Sequence, residues 1–199
     1  MNATREHIIQ VAGRLFLQSN YDGVSIQDIT RAVGMTKGAL YHHFTSKEQL
    51  FEEVARNLVG TSHTDFSALP AHSLRGFYTT LAETIQARER GVQGADLPGT
   101  REAGINGYNL LWDAVRLLPG FRASMEAYNT LEHSAWTDAI QAASDRGELR
   151  AGLEAGKIAR IFMSVPDGVA ITSMLKGGPP SVVGEILDLW ETLYESLRP

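Results

Sequence analysis

The sequence predicts an all-α protein of about nine helices, with a small N-terminal bundle ahead of a larger helical region. Three observations predict it. Apolar residues recur every three or four positions along almost the whole chain. No stretch keeps the strict alternation of a half-buried strand. Two very short helical stretches flank the turn Gly34-Met35-Thr36, a tight bend between helices. A length of 199 residues leaves room for one or two cores.

Residues 4–19 set Ile8, Ile9, Ala12, Leu15 and Phe16 on one face and leave Arg5, Arg14 and Gln18 outside. Asn20-Tyr21-Asp22-Gly23 is turn chemistry that stops this helix. Ser25-Ile26-Gln27-Asp28 matches a capping box, and the helix it opens is expected to bury Ile29, Ala32 and Val33. Gly34 stands where a helix exit needs positive φ, and Thr36 can cap a third helix running from about Lys37 to Phe44. Ser46-Lys47-Glu48-Gln49 repeats the capping pattern and opens a fourth helix through Leu50, Phe51, Val54, Ala55, Leu58 and Val59. Residues 60–72, with Pro70, read as a joint. Helices are then expected at 73–90, 104–118, 121–146, 154–176 and 181–197, with the glycine-rich stretch 91–103 as a long loop and Pro166 as a kink.

The composition, 43% hydrophobic and 21% charged, suits a folded chain, and no segment has the roughly 20 uninterrupted apolar residues of a membrane span. The opening residues lack the basic region, apolar run and cleavage site of a secretory signal, so a cytoplasmic protein is expected. Without cysteine there is no disulfide and no thiolate metal site. The net charge of −5 excludes a surface that is basic all round. Residues 1–50 nevertheless carry five Lys/Arg against four Asp/Glu, whereas the other 149 carry 13 against 19. A nucleic acid would therefore meet the first quarter of the chain.

A third helix of about eight residues does not persist alone in water, because nucleation is costly and few hydrogen bonds follow it. Leu40 and Phe44 are expected to hold it against Ile29, Val33 and Phe16. Lys37, Gly38, Tyr41 and His42 then occupy the exposed edge. By pattern this is a helix-turn-helix, whose second helix enters the DNA major groove. Gly38 would let it approach the sugar-phosphate wall, Thr36 and Lys37 lie at a helix start where phosphate is favoured, and Tyr41, His43 and Lys47 can donate to phosphate oxygens. The neighbouring His42 and His43 are not expected to hold a metal: adjacent helical residues diverge by about 100°, and no further ligand lies at the right spacing. No cofactor is expected.

The stretch VSIQDITRAVGMTKGALYHHFTSKEQLFEEV, residues 24–54, closely resembles the DNA-binding domain of the tetracycline-repressor (TetR) family of bacterial transcriptional regulators. The run Thr-Lys-Gly-x-Leu-Tyr-x-His-Phe-x-x-Lys-Glu-x-Leu from Thr36 to Leu50 carries the likeness, which covers roughly residues 5–56. The resemblance implies phosphate contacts from Ser25, Tyr41, His43 and Lys47. It implies base or groove contacts from Thr36, Lys37, Gly38, Ala39 and His42. Ala39 can touch only a thymine methyl, so direct readout is assigned to His42.

In the larger region, Tyr108, Asn109, Trp112, Arg116, Met125, Tyr128, His133 and Trp136 form the most pocket-like set, apolar with a few polar groups. Aromatics at this spacing also serve as plain core, and both readings stand at this point. Helices 154–176 and 181–197 are apolar on more than one side, and the resemblance implies that they pack on a twofold mate as a four-helix bundle. The expected organisation is thus a DNA-binding domain, 1–56, and an effector-binding and dimerisation domain, 57–199. The expected function is a ligand-responsive regulator, a homodimer on a palindromic operator in double-stranded DNA, released by a small molecule. Paired carboxylates of Glu-x-x-His type, a phosphate-cradling glycine loop and a nucleophile-base pair are all missing from the sequence, so no enzyme is expected. The alternative is an all-α ligand-binding or enzymatic domain whose helix-turn-helix is only structural.

Overall fold

Helix α1 (Asn2–Ser19) buries Ile8, Ala12 and Phe16 almost completely in the computed structural model of the protein. The structure describes residues 2–60, 64–94, 103–176 and 182–199, with side chains for 5–57, 64–87, 110–173, 175–176 and 182–199. Nine α-helices occur among the described residues and no strand does. After α1 come α2 (Ile26–Val33), α3 (Lys37–His43), α4 (Lys47–Gly60), α5 (Leu74–Gly94), α6 (Ala103–Leu117), α7 (Pro119–Asp145), α8 (Ala155–Leu175) and α9 (Val183–Leu197). A single 3₁₀ turn, Phe66–Ala68, precedes α5.

The chain divides into two units. One comprises Met1–Ser62 with Leu97–Ser124, the other His63–Asp96 with Met125–Pro199. This differs from the division at 56/57 drawn from sequence, because α6 groups with the N-terminal helices: it packs on α1 and α4. In that first unit α1 also packs on α2 and α4, and a Cβ at Gly13 would make an ordinary contact with Val54 Cγ1 at 3.5 Å. Phe16 stacks on Tyr21 and meets Phe51 edge-on. The second unit is built around Trp136, which is fully buried and stacks on Phe162 at 4.9 Å, with Phe77 and Trp190 against its edges. The Trp190 indole donates to the Phe162 carbonyl at 2.9 Å, tying α9 to α8.

Some expectations change in detail. Helix α2 buries Ile29 and Thr30 while Ala32 is exposed, because its inward stripe runs through 26, 29, 30 and 33; the Thr30 hydroxyl donates to the Gln27 carbonyl at 3.1 Å. Helix α5 continues to Gly94, so 91–94 of the expected loop are helical, one interior glycine costing only about 1 kcal/mol. Residues 95–102 of that loop lie outside the described residues. Helix α7 starts at Pro119 rather than 121, since the first helical position needs no N–H. Pro166 lies inside α8, which continues past it to Leu175.

Candidate nucleic-acid interface

Local chemistry sets the ends of α2 and α3. The Ser25 hydroxyl accepts the Asp28 amide at 3.2 Å, and Asp28 Oδ2 accepts the Ser25 amide at 3.0 Å, closing the capping box. The Ser25 hydroxyl, with the Ser25 amide behind it, holds the Asp28 carboxyl below the usual range. Gly34 exits α2 at φ 78° and donates to the Thr30 carbonyl at 3.0 Å. Thr36 caps α3 by accepting the Ala39 amide at 3.2 Å. Phe44, extended at φ −138°, ends it. The Ser46 hydroxyl accepts the Gln49 amide at 3.1 Å, but the Gln49 side chain turns to Thr45 instead, accepting its amide at 2.6 Å and its hydroxyl at 3.0 Å. Only half of the second expected capping box therefore forms.

Leu40 and Phe44 are buried, as are Ile29 and Phe16, whereas Val33 is half-buried. With these held inward, Ser25, Thr36, Lys37, Gly38, Ala39, Tyr41 and His42 are exposed, and His43 and Lys47 half-exposed. All nine belong to the first unit. Tyr41 remains 42% exposed, and Lys37 Nζ lies 5.8 Å from its ring centre. A Cβ at Gly38 would meet nothing within 4 Å. Neither crowding nor a left-handed backbone calls for glycine there. The Ser25 hydroxyl donates to Asp28 Oδ2 at 2.5 Å, so a phosphate at Ser25 would compete with that carboxylate.

Tyr21 is the residue that sequence reasoning missed. Read as part of a turn, it is buried against Phe16 and Phe51, with Lys47 Nζ 4.0 Å from its ring centre. Its hydroxyl donates to Glu48 Oε1 at 2.9 Å. Burial, and then that carboxylate, push its phenol well up, while the Glu48 carboxyl is held low by its own backbone amide, Ser46 and Tyr21. An aromatic in a turn, 26 residues ahead of a lysine, is too remote a signal to read from the chain.

The eight expected effector residues divide between the units. Tyr108 and Asn109 lie on α6 with side chains outside the described residues. Trp112 is 72% exposed, and Arg116 pairs with Asp22 and Asp113, each at 3.1 Å. In the second unit Met125 is half-buried, Tyr128 accepts the Thr64 amide at 3.3 Å, His133 Nε2 lies 3.0 Å from the Gly156 carbonyl, and Trp136 is enclosed in the core. None of the eight lines the groove that the second unit does possess. That groove, of about 660 Å³, runs between α7 and the segment from Thr64 to Phe77. On the α7 side its lining is Leu131, Ser134, Ala135, Asp138, Ala139 and Ala142; His133 and Trp136 point to another face of the helix, while Tyr128 stands beside the groove against Phe66 and Thr64.

The chain matches the family model described as bacterial regulatory proteins, tetR family, over residues 8–54. It is similar to the transcriptional repressor KstR2 of Mycolicibacterium smegmatis, 25% identical over 183 residues that cover 89% of this chain and 82% of the relative. It is also similar to the repressor AcnR of Corynebacterium diphtheriae, 24% identical over 199 residues, covering 100% and 95%. The crystal structure of a TetR-family regulator from Cytophaga hutchinsonii superposes with a TM-score of 0.66 at 18% identity, covering 98% of this chain and 95% of that one. The capped helix-turn-helix of residues 8–54 is thus that of the tetR family of bacterial regulatory proteins, and it stands on an all-helical frame whose fold a solved TetR-family regulator shares.

Proposed function

We propose that the protein is a cytoplasmic, ligand-released repressor, a homodimer that inserts α3 of each copy into successive major grooves of a palindromic operator. Such grooves recur about 34–36 Å apart, and a twofold protein reads a twofold site. Residues 1–56 are the DNA-contacting part in this reading. The observation that carries it is the exposed edge of α3, where Gly38 has no reason within the chain to be glycine. A bare spot flanked by Lys37 and Tyr41 lets a helix backbone come close to a sugar-phosphate wall. Lys37, Tyr41, His43 and Lys47 serve phosphates, and His42 faces base edges.

Dimerisation is assigned to α8 and α9. Ile161, Ile171 and Leu175 on α8 and Leu189 on α9 are exposed, Leu175 by 80%, and a helix pair that leaves this much apolar surface in water is suited to a mate. The effector acts by preferring the form that fits DNA less well. Coupling is reciprocal, so it weakens operator binding by the factor by which operator weakens its own binding.

The test is operator binding by fluorescence anisotropy over a range of salt, on duplexes selected from a random pool. Replacing Lys37 or Lys47 with Ala should each lower the slope of log affinity against log salt by about one. Unchanged affinity and slope in both variants would remove the assignment of α3 to the duplex.

A further inference from the structure

We propose that the groove between α7 and the Thr64–Phe77 segment binds a lipophilic cation, an apolar body carrying one permanent positive charge. This rests on the reading above only in making that molecule the effector. At about 660 Å³ the groove falls within the range, about 300–1,000 Å³, that encloses most of a drug-sized ligand. It exists because α7 offers Ala135, Ala139 and Ala142 to Phe77 and Leu69, and these alanines are too short to fill the space. Phe66 stands at one side with its ring 5.6 Å from that of Tyr128, and Leu131 is 64% exposed at the lip.

Charge selects among apolar ligands. Among the described residues the lining holds two carboxylates, Asp65 and Asp138, and no lysine, arginine or histidine. Asp65 is fixed in place, its Oδ1 accepting the Ser67 amide at 3.0 Å and the Ser67 hydroxyl at 2.6 Å, contacts that hold its carboxyl below the usual range. Asp138 sits one turn along α7 from Ser134 and has no ion-pair partner among the described residues. An anion entering here would give up water to face two negative groups, with no cation among the described lining residues to offset the loss. A cation meets both carboxylates beside the ring of Phe66, and aromatic rings attract positive charge through their quadrupoles.

Tetraphenylphosphonium and tetraphenylborate share one shape and differ in the sign of their charge, so calorimetric titration of the free protein with each isolates the electrostatic choice. The phosphonium should bind at least about tenfold more tightly than the borate, as two uncompensated carboxylates imply. Asp138→Asn should lower phosphonium affinity by about three- to tenfold, in line with a partly exposed charge pair, without changing the melting temperature. Ala142→Phe, which fills the groove, should abolish binding in a protein that still melts cooperatively. Equal or tighter binding of the borate, or an unaltered affinity in both variants, overturns the proposal. So does a Leu131→Lys variant that sediments as a monomer where the parent is a dimer, because the groove would then be covered by a second copy of the chain. No operator is present in these titrations, so their failure leaves the DNA-binding reading intact. Conversely, phosphonium that binds as described without altering operator affinity keeps the site and removes its role as the release signal.

Discussion

Oδ2 of Asp113 accepts the backbone amide of Tyr21 at 3.0 Å, a buried hydrogen bond between residues 92 apart that pins the turn after α1 to α6. Arg116, one turn on, bridges the same Asp113 to Asp22. Asp113→Ala leaves the Tyr21 amide enclosed without an acceptor and should cost about 1–3 kcal/mol. Asp113→Asn keeps an acceptor and should cost less, and Arg116→Gln, at an exposed pair, less still. Urea unfolding of the three variants checks this order.

Gly38→Ala should move stability and function in opposite directions. The position is open, so a methyl group meets nothing, and replacing this first-turn helical glycine should raise stability by at most about 0.5–1 kcal/mol. Operator affinity should fall, because the methyl group stands where the duplex wall approaches. Paired thermal melts and binding isotherms make the measurement. A variant that gains stability and keeps its affinity would show that nothing comes close to this spot.

These two sites differ in how far the sequence revealed them. The capping box at Ser25, the left-handed Gly34 and the Thr36 cap depend on contacts within three or four residues, and all three form as the spacing implies. Gln49, whose choice between Ser46 and Thr45 depends on the local backbone path, was already harder to place. The link from Asp113 to Tyr21 depends on packing between distant helices and leaves no local trace. The groove was hidden for a different reason: Ala135, Ala139 and Ala142 read as ordinary helix filler, and only the neighbours facing them decide whether the space is occupied. Aromatic spacing pointed instead to Trp136, which the structure encloses in the core.

Glu132 provides a pH signature. Burial raises its carboxyl pKa above the ordinary 4.5, and Asp167 nearby pushes it the same way. Below about pH 4.5 the group is neutral in both folded and unfolded chains and contributes nothing. As pH rises the unfolded chain ionises first, so the native state loses stability until the folded group also ionises. Glu132→Gln should therefore be more stable than the parent at neutral pH, with the difference vanishing toward about pH 4. Denaturation midpoints across that interval test the sign.

Ile161→Glu or Leu175→Glu places a charge on the exposed apolar surface of α8. Each should shift the protein toward monomer in analytical ultracentrifugation without lowering its helix content. Operator affinity should fall with it, since a single helix-turn-helix reads only half of a palindrome.

The ammonium of Lys47, lying over the ring of Tyr21, gives up its rotational freedom when the chain folds. Long lysine side chains ordinarily surrender that freedom only on meeting a partner, which makes each such encounter entropically less favourable. Here the contact with Tyr21 takes part of that ordering before any partner arrives. Removing the ring with Tyr21→Ala would leave the same charge on a freely swinging tether, a change visible as greater disorder in the lysine methylenes by nuclear magnetic resonance.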